Sequence, residues 1–288
     1  MYLCACFVEY VFPYSDSIDK IFLFQGREHA EAVVLDSKIF FCGGFNRNTS
    51  PTVTNSCYSF TMGQDRSTWM TEQSMQVARN YFGLSVVGGT IYATGGESRY
   101  EDDQTYSSVE SYTEERGWRI ENSMEMTQER EGHCSVALKT RLLVIGGSVQ
   151  SSVFDTVQAF DTENLSQGWV SLRSMTIGRS GHACQAALYQ GEEGIFVSGG
   201  RNDASASVEF YRPESDTWAN IASLNIGRQY HSMTVASDQL VVAGGDTEGA
   251  GWSSVEMFNG SHWLVTTHLL EGRRNHAAVS VPSTFYSC

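Results

Sequence analysis

Five glycine pairs divide this chain into units of similar length. They are 45 to 53 residues apart, at Gly43-Gly44, Gly95-Gly96, Gly146-Gly147, Gly199-Gly200 and Gly244-Gly245. Each pair follows a short run of apolar or β-branched residues, the composition of a buried strand. Self-similarity at a period of about 50 residues is typical of repeat architectures such as propellers. The spacing therefore predicts a repeat protein.

Four more positions recur in each unit. An aromatic residue comes first, at Tyr58, Tyr112, Phe160, Tyr211 and Phe258. A tryptophan follows, at Trp69, Trp118, Trp169, Trp218 and Trp263. An arginine stands 10 or 12 residues later, at Arg79, Arg130, Arg179, Arg228 and Arg273. Three residues beyond come Phe82, His133, His182, His231 and His276, and a shortened pair, Arg27-Glu28-His29, assigns His29 to the same position.

Each unit holds four short apolar runs separated by turn residues, which predicts a four-stranded antiparallel sheet. A single small sheet cannot bury both of its faces. Identical sheets arranged in a ring bury them against one another and leave only short, protected edges. The glycine pair suits a site where backbone or a ring from elsewhere approaches closely, because glycine has no side chain. The pattern therefore predicts an all-β ring of sheets.

The glycine pairs, the spaced Tyr and Trp, and the Arg-x-x-His resemble the marks of a kelch-repeat β-propeller, and they cover 27–276. In the layout of that family, the count predicts a single domain, 1–288, with six four-stranded blades. Five are expected at about 29–73, 82–122, 133–173, 182–222 and 231–266. The sixth is expected to combine inner strands from 276–288 with outer N-terminal strands from 5–24. The alternative is that the sixth unit continues beyond these residues.

The recurring histidines and arginines are interpreted as structural, because a position that repeats in every unit is set by packing within the repeat. Nucleophile-elbow, phosphate-loop and zinc-protease motifs are missing from the sequence. We therefore predict no catalytic residues, no metal site and no cofactor, and a protein that is not an enzyme. The resemblance also includes enzymes, and the alternative is a propeller of the copper-oxidase or sialic-acid-epimerase kind.

Charge and cysteine content limit the partners and the compartment. With 19 Lys+Arg against 33 Asp+Glu, the net charge of −14 argues against binding to nucleic acid or to an anionic membrane. The seven cysteines show no metal-type spacing, which favours reduced thiols in a cytoplasmic protein. Three glycosylation sequons, at Asn48, Asn164 and Asn259, support an extracellular alternative. In that alternative, Cys288 pairs with Cys4 or Cys6 and joins the chain ends.

The function is expected on the loops, because loops on a rigid scaffold usually carry binding residues. The loops after the glycine pairs differ between units, while the strands repeat. Interface energy concentrates in Arg, Tyr and Trp. The predicted partner-binding residues are therefore Arg47, Arg99, Tyr100, Arg201, Asn202 and Trp252 after the glycine pairs, and Tyr81, Tyr230 and Arg274 before the histidines.

The resemblance implies a protein–protein interaction module that binds a partner protein or peptide on one loop face. Arg201-Asn202 resembles a position that reads acidic groups in some kelch adaptors, and nearby Asp246 favours a ligand of mixed charge. Many kelch propellers recognise substrates for ubiquitin ligases, and others bind cytoskeletal proteins such as actin. We expect a monomeric propeller with one of these roles.

Overall fold

The structure, a computed structural model, describes residues 8–10, 20–24, 27–46, 48, 50–63, 69–98, 104–201, 205–246 and 251–281. Near the N-terminus it has two strands, β1 (Val8–Tyr10) and β2 (Lys20–Phe24). Blade 1 then contains β3 (Glu31–Leu35), β4 (Lys38–Cys42), β5 (Cys57–Thr61) and β6 (Met70–Thr71). Blade 2 contains β7 (Gly83–Val87), β8 (Thr90–Thr94), β9 (Val109–Thr113) and β10 (Gly117–Ile120).

Blade 3 contains β11 (Cys134–Leu138), β12 (Arg141–Ile145), β15 (Val157–Asp161) and β16 (Trp169–Leu172). Between its second and third strands, β13 (Ser148–Val149) and β14 (Ser152–Val153) form a small separate hairpin. Blade 4 contains β17 (Ala183–Tyr189), β18 (Glu192–Ser198), β19 (Val208–Arg212) and β20 (Thr217–Ile221). Blade 5 contains β21 (Ser232–Ala236), β22 (Gln239–Ala243), β23 (Ser254–Phe258) and β24 (Trp263–His268). The last described strand is β25 (Ala277–Val281). Short 3₁₀ helices span Asn122–Met124, Leu165–Gln167 and Gly251–Ser253.

The predicted all-β architecture of four-stranded antiparallel blades is confirmed, and the described residues form five such blades rather than six. Neighbouring strands within blades 1 to 5 pair antiparallel in chain order. The chain ends form a three-stranded sheet in the order β1-β2-β25. None of the described helices has the length and apolar composition needed to cross a bilayer.

The strand order of this last sheet differs from the predicted one. The sequence assigns two inner strands to 276–288, but β25 pairs directly with β2, from Lys20↔Val281 to Phe24↔Ala277. Strand β2 therefore occupies the second place, where a strand was expected from 284–288, a segment outside the described residues. A pattern of alternating residues identifies a strand but not its neighbour, because the neighbour is set by packing of the whole ring.

The innermost strands close a circle around a central cavity. Each innermost strand contacts the next one around the ring, in the order β3, β7, β11, β17, β21 and β25. Strand β25 in turn contacts β3. These six strands line a cavity of about 420 Å³. The sheet of the chain ends therefore takes its place beside the five complete blades.

The repeated aromatic residues hold the third and fourth strands of the blades together. In blades 2 to 5 the aromatic residue directly opposes the tryptophan on the next strand, at Tyr112↔Trp118, Phe160↔Trp169, Tyr211↔Trp218 and Phe258↔Trp263. Their ring centroids lie 5.1 to 5.4 Å apart, within the range of favourable aromatic pairs. The spacing of the aromatic residue and the tryptophan thus encodes a cross-strand pair.

The glycine pairs sit where consecutive blades meet. Both glycines of each pair have positive φ, and Gly95 (φ 57°) shows why no side chain fits. A Cβ there would lie 2.6 Å from the Arg130 carbonyl oxygen and 2.8 Å from the His133 ring of the next blade. The close approach of the next blade therefore requires glycine.

The repeat arginines are buried braces, as predicted. Three of them form ion pairs with a glutamate early in the third strand: Arg79–Glu110 (2.9 Å), Arg179–Glu209 (2.9 Å) and Arg228–Glu256 (2.7 Å), all with fully buried side chains. Arg79 also donates to the Gly95 carbonyl at 2.6 Å, while its own carbonyl accepts from Gly44 of blade 1. Each such arginine thus joins the glycine pairs of two blades.

Blade 3 replaces the glutamate with Gln158. Its brace, Arg130, still donates to the Gly146 carbonyl at 2.6 Å, but no carboxylate faces it among the described residues. Burial without a partner charge lowers the pKa of Arg130 to about 10. Blade 3 is therefore a natural variant in which the buried cation lacks its counter-ion.

The repeat histidines also join blades. His133 contacts the Thr94 hydroxyl at 2.9 Å, His231 contacts that of Ser198 at 2.8 Å, and His276 contacts that of Ser232 at 2.9 Å. Burial lowers the pKa of His133 and His231 well below the ordinary value, and that of His182 and His276 to about 3. These rings are neutral packing elements, which agrees with their structural interpretation.

The assignment of His29 to this position is wrong. Ala30 occupies it, since a Cβ on Gly44 would meet Ala30 just as a Cβ on Gly147 would meet His133. The true spacing is three residues after the arginine, which Arg27 and Ala30 keep and His29 does not. His29 instead takes the left-handed position (φ 55°) that precedes the repeat histidine.

The prediction of reduced thiols is wrong for four of the seven cysteines. Cys42 and Cys57 are opposite each other on β4 and β5 and form one disulfide, with their Cα atoms 4.2 Å apart. Cys134 and Cys184, on the innermost strands of blades 3 and 4, form a second, with a Cα separation of 5.9 Å. Sequence spacing does not show which strands lie side by side, so it could not predict these pairs. Cys4, Cys6 and Cys288 lie outside the described residues.

Candidate functional site

Two sets of loops share one face of the ring. Because neighbouring strands are antiparallel, the loops after the glycine pairs and the loops before the repeat histidines emerge at the same ends of the blades. Isolated bridges tie the two sets together, for example Glu28 to Phe45, Asn80 to Glu97 and Gln229 to Asp246. We call this surface the loop face.

A collar of six residues surrounds the mouth of the central cavity on the loop face. Its members each precede a repeat histidine or its replacement and have φ between 52° and 65°: His29, Tyr81, Gly132, Gly181, Tyr230 and Asn275. Five backbone hydrogen bonds of 2.7 to 3.0 Å link them in sequence, each N–H donating to the carbonyl of the collar residue in the adjacent blade. The last of these runs from His29 to Asn275, so the collar spans the junction of the chain ends.

Three aromatic side chains of the collar meet over the cavity mouth. His29 stacks on Tyr81 with ring centroids 3.4 Å apart, and both rings contact Tyr230 edge-on, at 5.4 and 5.9 Å. We call these three residues the mouth cluster. The two tyrosines were predicted from the sequence, but His29 was not, because it had been given a structural role. The left-handed backbone and the collar define this position, and neither follows from residue type.

Arginines and further aromatic residues extend this cluster outward. Arg201 Nε donates to the Tyr230 hydroxyl at 2.7 Å, and its guanidinium carbon lies 5.3 Å from the centre of that ring. Arg274 pairs with Asp246 at 2.7 Å and lies 5.1 Å from the centre of the Trp252 ring. We call Arg201, Asp246, Trp252 and Arg274 the arginine patch. Trp252 is 39% exposed, so part of its large apolar surface is accessible to a ligand.

The charges of the arginine patch act on the mouth cluster. Burial, followed by the nearby charges of Arg201 and Arg274, lowers the pKa of His29 to about 3. The ring is therefore neutral at physiological pH. The mouth combines two cations with three uncharged aromatic rings, and one carboxylate, Asp246, is already paired with Arg274. Such a surface provides both apolar contact and charge for a ligand.

Five of the nine predicted site residues are described, and the structure brings them together on the loop face: Tyr81, Arg201, Tyr230, Trp252 and Arg274. The other four, Arg47, Arg99, Tyr100 and Asn202, lie outside the described residues. No group of three His, Cys, Asp or Glu side chains placed to hold a metal ion occurs within the described ranges.

Comparisons with known proteins agree with this architecture. The family model described as the KLHDC2/KLHL20/DRC7 Kelch-repeats domain matches residues 28–245. Human Kelch-like protein 15 is 27% identical over 236 residues, 74% of this chain and 37% of that protein. Kelch-like protein 26 from Danio rerio is 27% identical over 231 residues, 77% of this chain and 36% of that protein. The chain thus spans less than two-fifths of the length of these curated relatives.

A solved structure of YjhT has the same fold, with a TM-score of 0.72 at 14% identity, covering 87% of this chain and 86% of that one. The family match extends over most of the chain and includes the glycine pairs, four of the five braces and most of the collar. The chain belongs to the kelch-repeat family.

Proposed function

We propose that this chain is a protein–protein interaction propeller that binds a partner protein or peptide on the loop face. The observation that carries the proposal is the joining of the mouth cluster to the arginine patch through the Arg201–Tyr230 contact. Arg, Tyr and Trp dominate the energy of protein interfaces, and here they lie side by side on a rigid collar. No catalytic role is assigned to them.

The charge pattern suggests the chemistry of the ligand. Arg201 contacts a neutral hydroxyl, so its charge is available to an acidic group of the ligand. Arg274 and Asp246 form a partly exposed ion pair, so the arginine patch presents charges of both signs. A segment of mixed charge with an apolar residue to cover Trp252 therefore fits this face better than a purely acidic one.

We further propose a monomeric propeller of six blades. The closed circle of six innermost strands and the six-membered collar support that count. The biological role that we propose is substrate recognition for a ubiquitin ligase or binding to a cytoskeletal protein such as actin. The kelch-like names of the relatives and the chemistry of the loop face support a partner protein without distinguishing these two.

The cytoplasm remains our proposed compartment. In a reducing cytosol, disulfides are usually transient and redox-sensing, whereas in an oxidising compartment they are permanent. A count of free thiols in protein taken directly from cells distinguishes the two, since four unreactive cysteines would support the extracellular alternative.

Removing the centre of the loop face is expected to weaken partner capture strongly. Arg201→Ala and Tyr230→Ala should each weaken binding of the same prey about thirtyfold or more, because hot-spot residues typically contribute about 2 kcal/mol or more. The measurement is a quantitative pull-down from lysate, followed by titration of the prey recovered with the wild type. The matched control is Arg116→Ala in the exposed turn between β9 and β10, at the opposite ends of the strands. Equal loss in the control, or no loss in either loop-face variant, would contradict the proposal.

A further inference from the structure

The two disulfides lie in different surroundings. Cys42 and Cys57 are fully buried and pack in an apolar cluster with Phe40, Met75 and Phe82. Cys134 and Cys184 also pack in an apolar cluster, but they form part of the wall of the central cavity of about 420 Å³ as well. Cys184 is 9% exposed, and Cys134 is more exposed than that. Only the second pair therefore borders space that a small molecule can enter.

The cavity beside this second pair is polar. Next to Cys134, the hydroxyl of Ser135 contacts that of Ser85 at 2.7 Å, which joins blades 2 and 3 by a hydrogen bond. Next to Cys184, the side chain of Gln185 belongs to the same wall, and Glu31 lies on the innermost strand of blade 1. A polar cavity admits hydrophilic thiols more readily than an apolar core, where a charged thiolate is strongly disfavoured.

The position of the pair links it to the loop face. The two cysteines lie just after the collar residues Gly132 and Gly181, whose backbones are joined by a hydrogen bond of 2.8 Å. The Tyr230 ring lies over Gly181, with its Cε1 2.8 Å from where a Cβ on that glycine would be. The covalent link between blades 3 and 4 is thus only a few residues from the contact between Tyr230 and Arg201.

We propose that Cys134–Cys184 is a thiol–disulfide exchange site that reacts in the folded protein with small dithiols entering the central cavity, whereas Cys42–Cys57 is a structural disulfide that reacts only on unfolding. Exchange depends on access of an attacking thiolate to the disulfide sulfur. The location of each pair provides this access for one and denies it to the other.

The reaction balances with a dithiol as the reductant. Its thiolate attacks the sulfur of Cys134, the more exposed of the two residues, and a mixed disulfide forms as the bond to Cys184 breaks. The electron pair leaves on the Cys184 sulfur, which takes up a proton. The second thiol of the reagent then closes its own ring disulfide and releases Cys134 as a thiol. The protein gains two thiols, and the reagent becomes a cyclic disulfide.

The test follows both disulfides in the oxidised full chain under native conditions. Dithiothreitol is added, and samples are quenched at intervals with iodoacetamide. After denaturation and full reduction, the remaining cysteines are labelled with N-ethylmaleimide, and peptide mass spectrometry reports each site. We expect loss of the Cys134–Cys184 bond while Cys42 and Cys57 stay protected and the near-UV circular dichroism is unchanged.

Other outcomes overturn the proposal. Equal rates at both pairs would mean that reduction follows global unfolding. Earlier reaction at Cys42 and Cys57, no reaction at Cys134 and Cys184, or free thiols at Cys134 and Cys184 in oxidised protein would each contradict it directly. Cys134→Ser combined with Cys184→Ser should remove the fast phase and leave the slow one. Because the labelling of the wild type carries the test, poor folding of this variant would not affect its result.

Discussion

Lowering the pH from 7 to 5 is expected to reduce the free energy of unfolding by about 2 kcal/mol for each buried repeat histidine, or about 8 kcal/mol for four. The four rings, His133, His182, His231 and His276, are only 6–7% exposed. Their pKa values in the folded chain are about 3 or well below the ordinary value, because burial disfavours the imidazolium form.

The direction of this change in stability follows from the number of protons that the folded and unfolded chains bind. In the unfolded chain each histidine binds a proton below a pH of about 6.5, while the folded chain keeps the ring neutral down to about pH 3. Between these values the unfolded state binds more protons, so stability is lost as the pH falls. Urea unfolding followed by tryptophan fluorescence at pH 7, 6 and 5 measures the loss.

Substitution of one histidine tests whether the buried rings cause the loss of stability at low pH. His182 is the best position, because Ile145 stands where Thr94 and Ser198 supply hydroxyls to other rings, and because blade 2 naturally carries Phe82 at this position. His182→Phe should reduce the slope of unfolding free energy against pH by about 1.4 kcal/mol per pH unit. The control, His268→Gln on the exposed outer strand of blade 5, should leave the slope as it is. An unchanged slope in His182→Phe would contradict the explanation.

The repeated features of the fold could be predicted from the sequence because they are local and occur several times. The spacing of Tyr112 and Trp118 reports a tight turn between two strands, and the same pair recurs in blades 3 to 5. Comparison among five copies also separates scaffold from loop. This is why the loop-face residues Arg201, Tyr230 and Trp252 could be selected without coordinates.

Features that occur once, or that depend on contacts through space, could not be predicted. His29 looked like a repeat histidine because the sequence shows the residue type but does not show that its backbone is left-handed. Cys134 and Cys184 are 50 residues apart and meet only because β11 and β17 are neighbours in the ring. The pairing of β2 with β25 likewise depends on closure of the whole circle. For the cysteines and for the closing strands, the missing information is which strands lie side by side.

Removal of one charge from a buried brace is expected to be the most damaging conservative substitution in the protein. Glu256→Gln keeps the shape of the side chain but leaves the fully buried Arg228 without its counter-ion. The Glu256 carboxylate also accepts hydrogen bonds from the backbone N–H groups of Asn225 (2.7 Å) and Ile226 (3.1 Å). Leaving a buried charge unpaired typically costs about 3–5 kcal/mol. For a chain of this length, 3 kcal/mol corresponds to a fall in Tm of about 5 °C.

The chain offers both a control and the reverse experiment. Glu214→Gln breaks an exposed contact with Lys139 (3.5 Å) and should change the stability by less than about 1 kcal/mol. Gln158→Glu gives Arg130 the carboxylate that three other braces have, and it should raise the stability by about 1–2 kcal/mol, because an ion pair would form where the buried Gln158 Oε1 has no hydrogen-bond partner among the described residues. Calorimetry at pH 7 measures all three variants. Equal destabilisation by Glu256→Gln and Glu214→Gln would show that the buried pair is not a brace, and a loss of stability in Gln158→Glu would show that blade 3 is built around its unpaired cation.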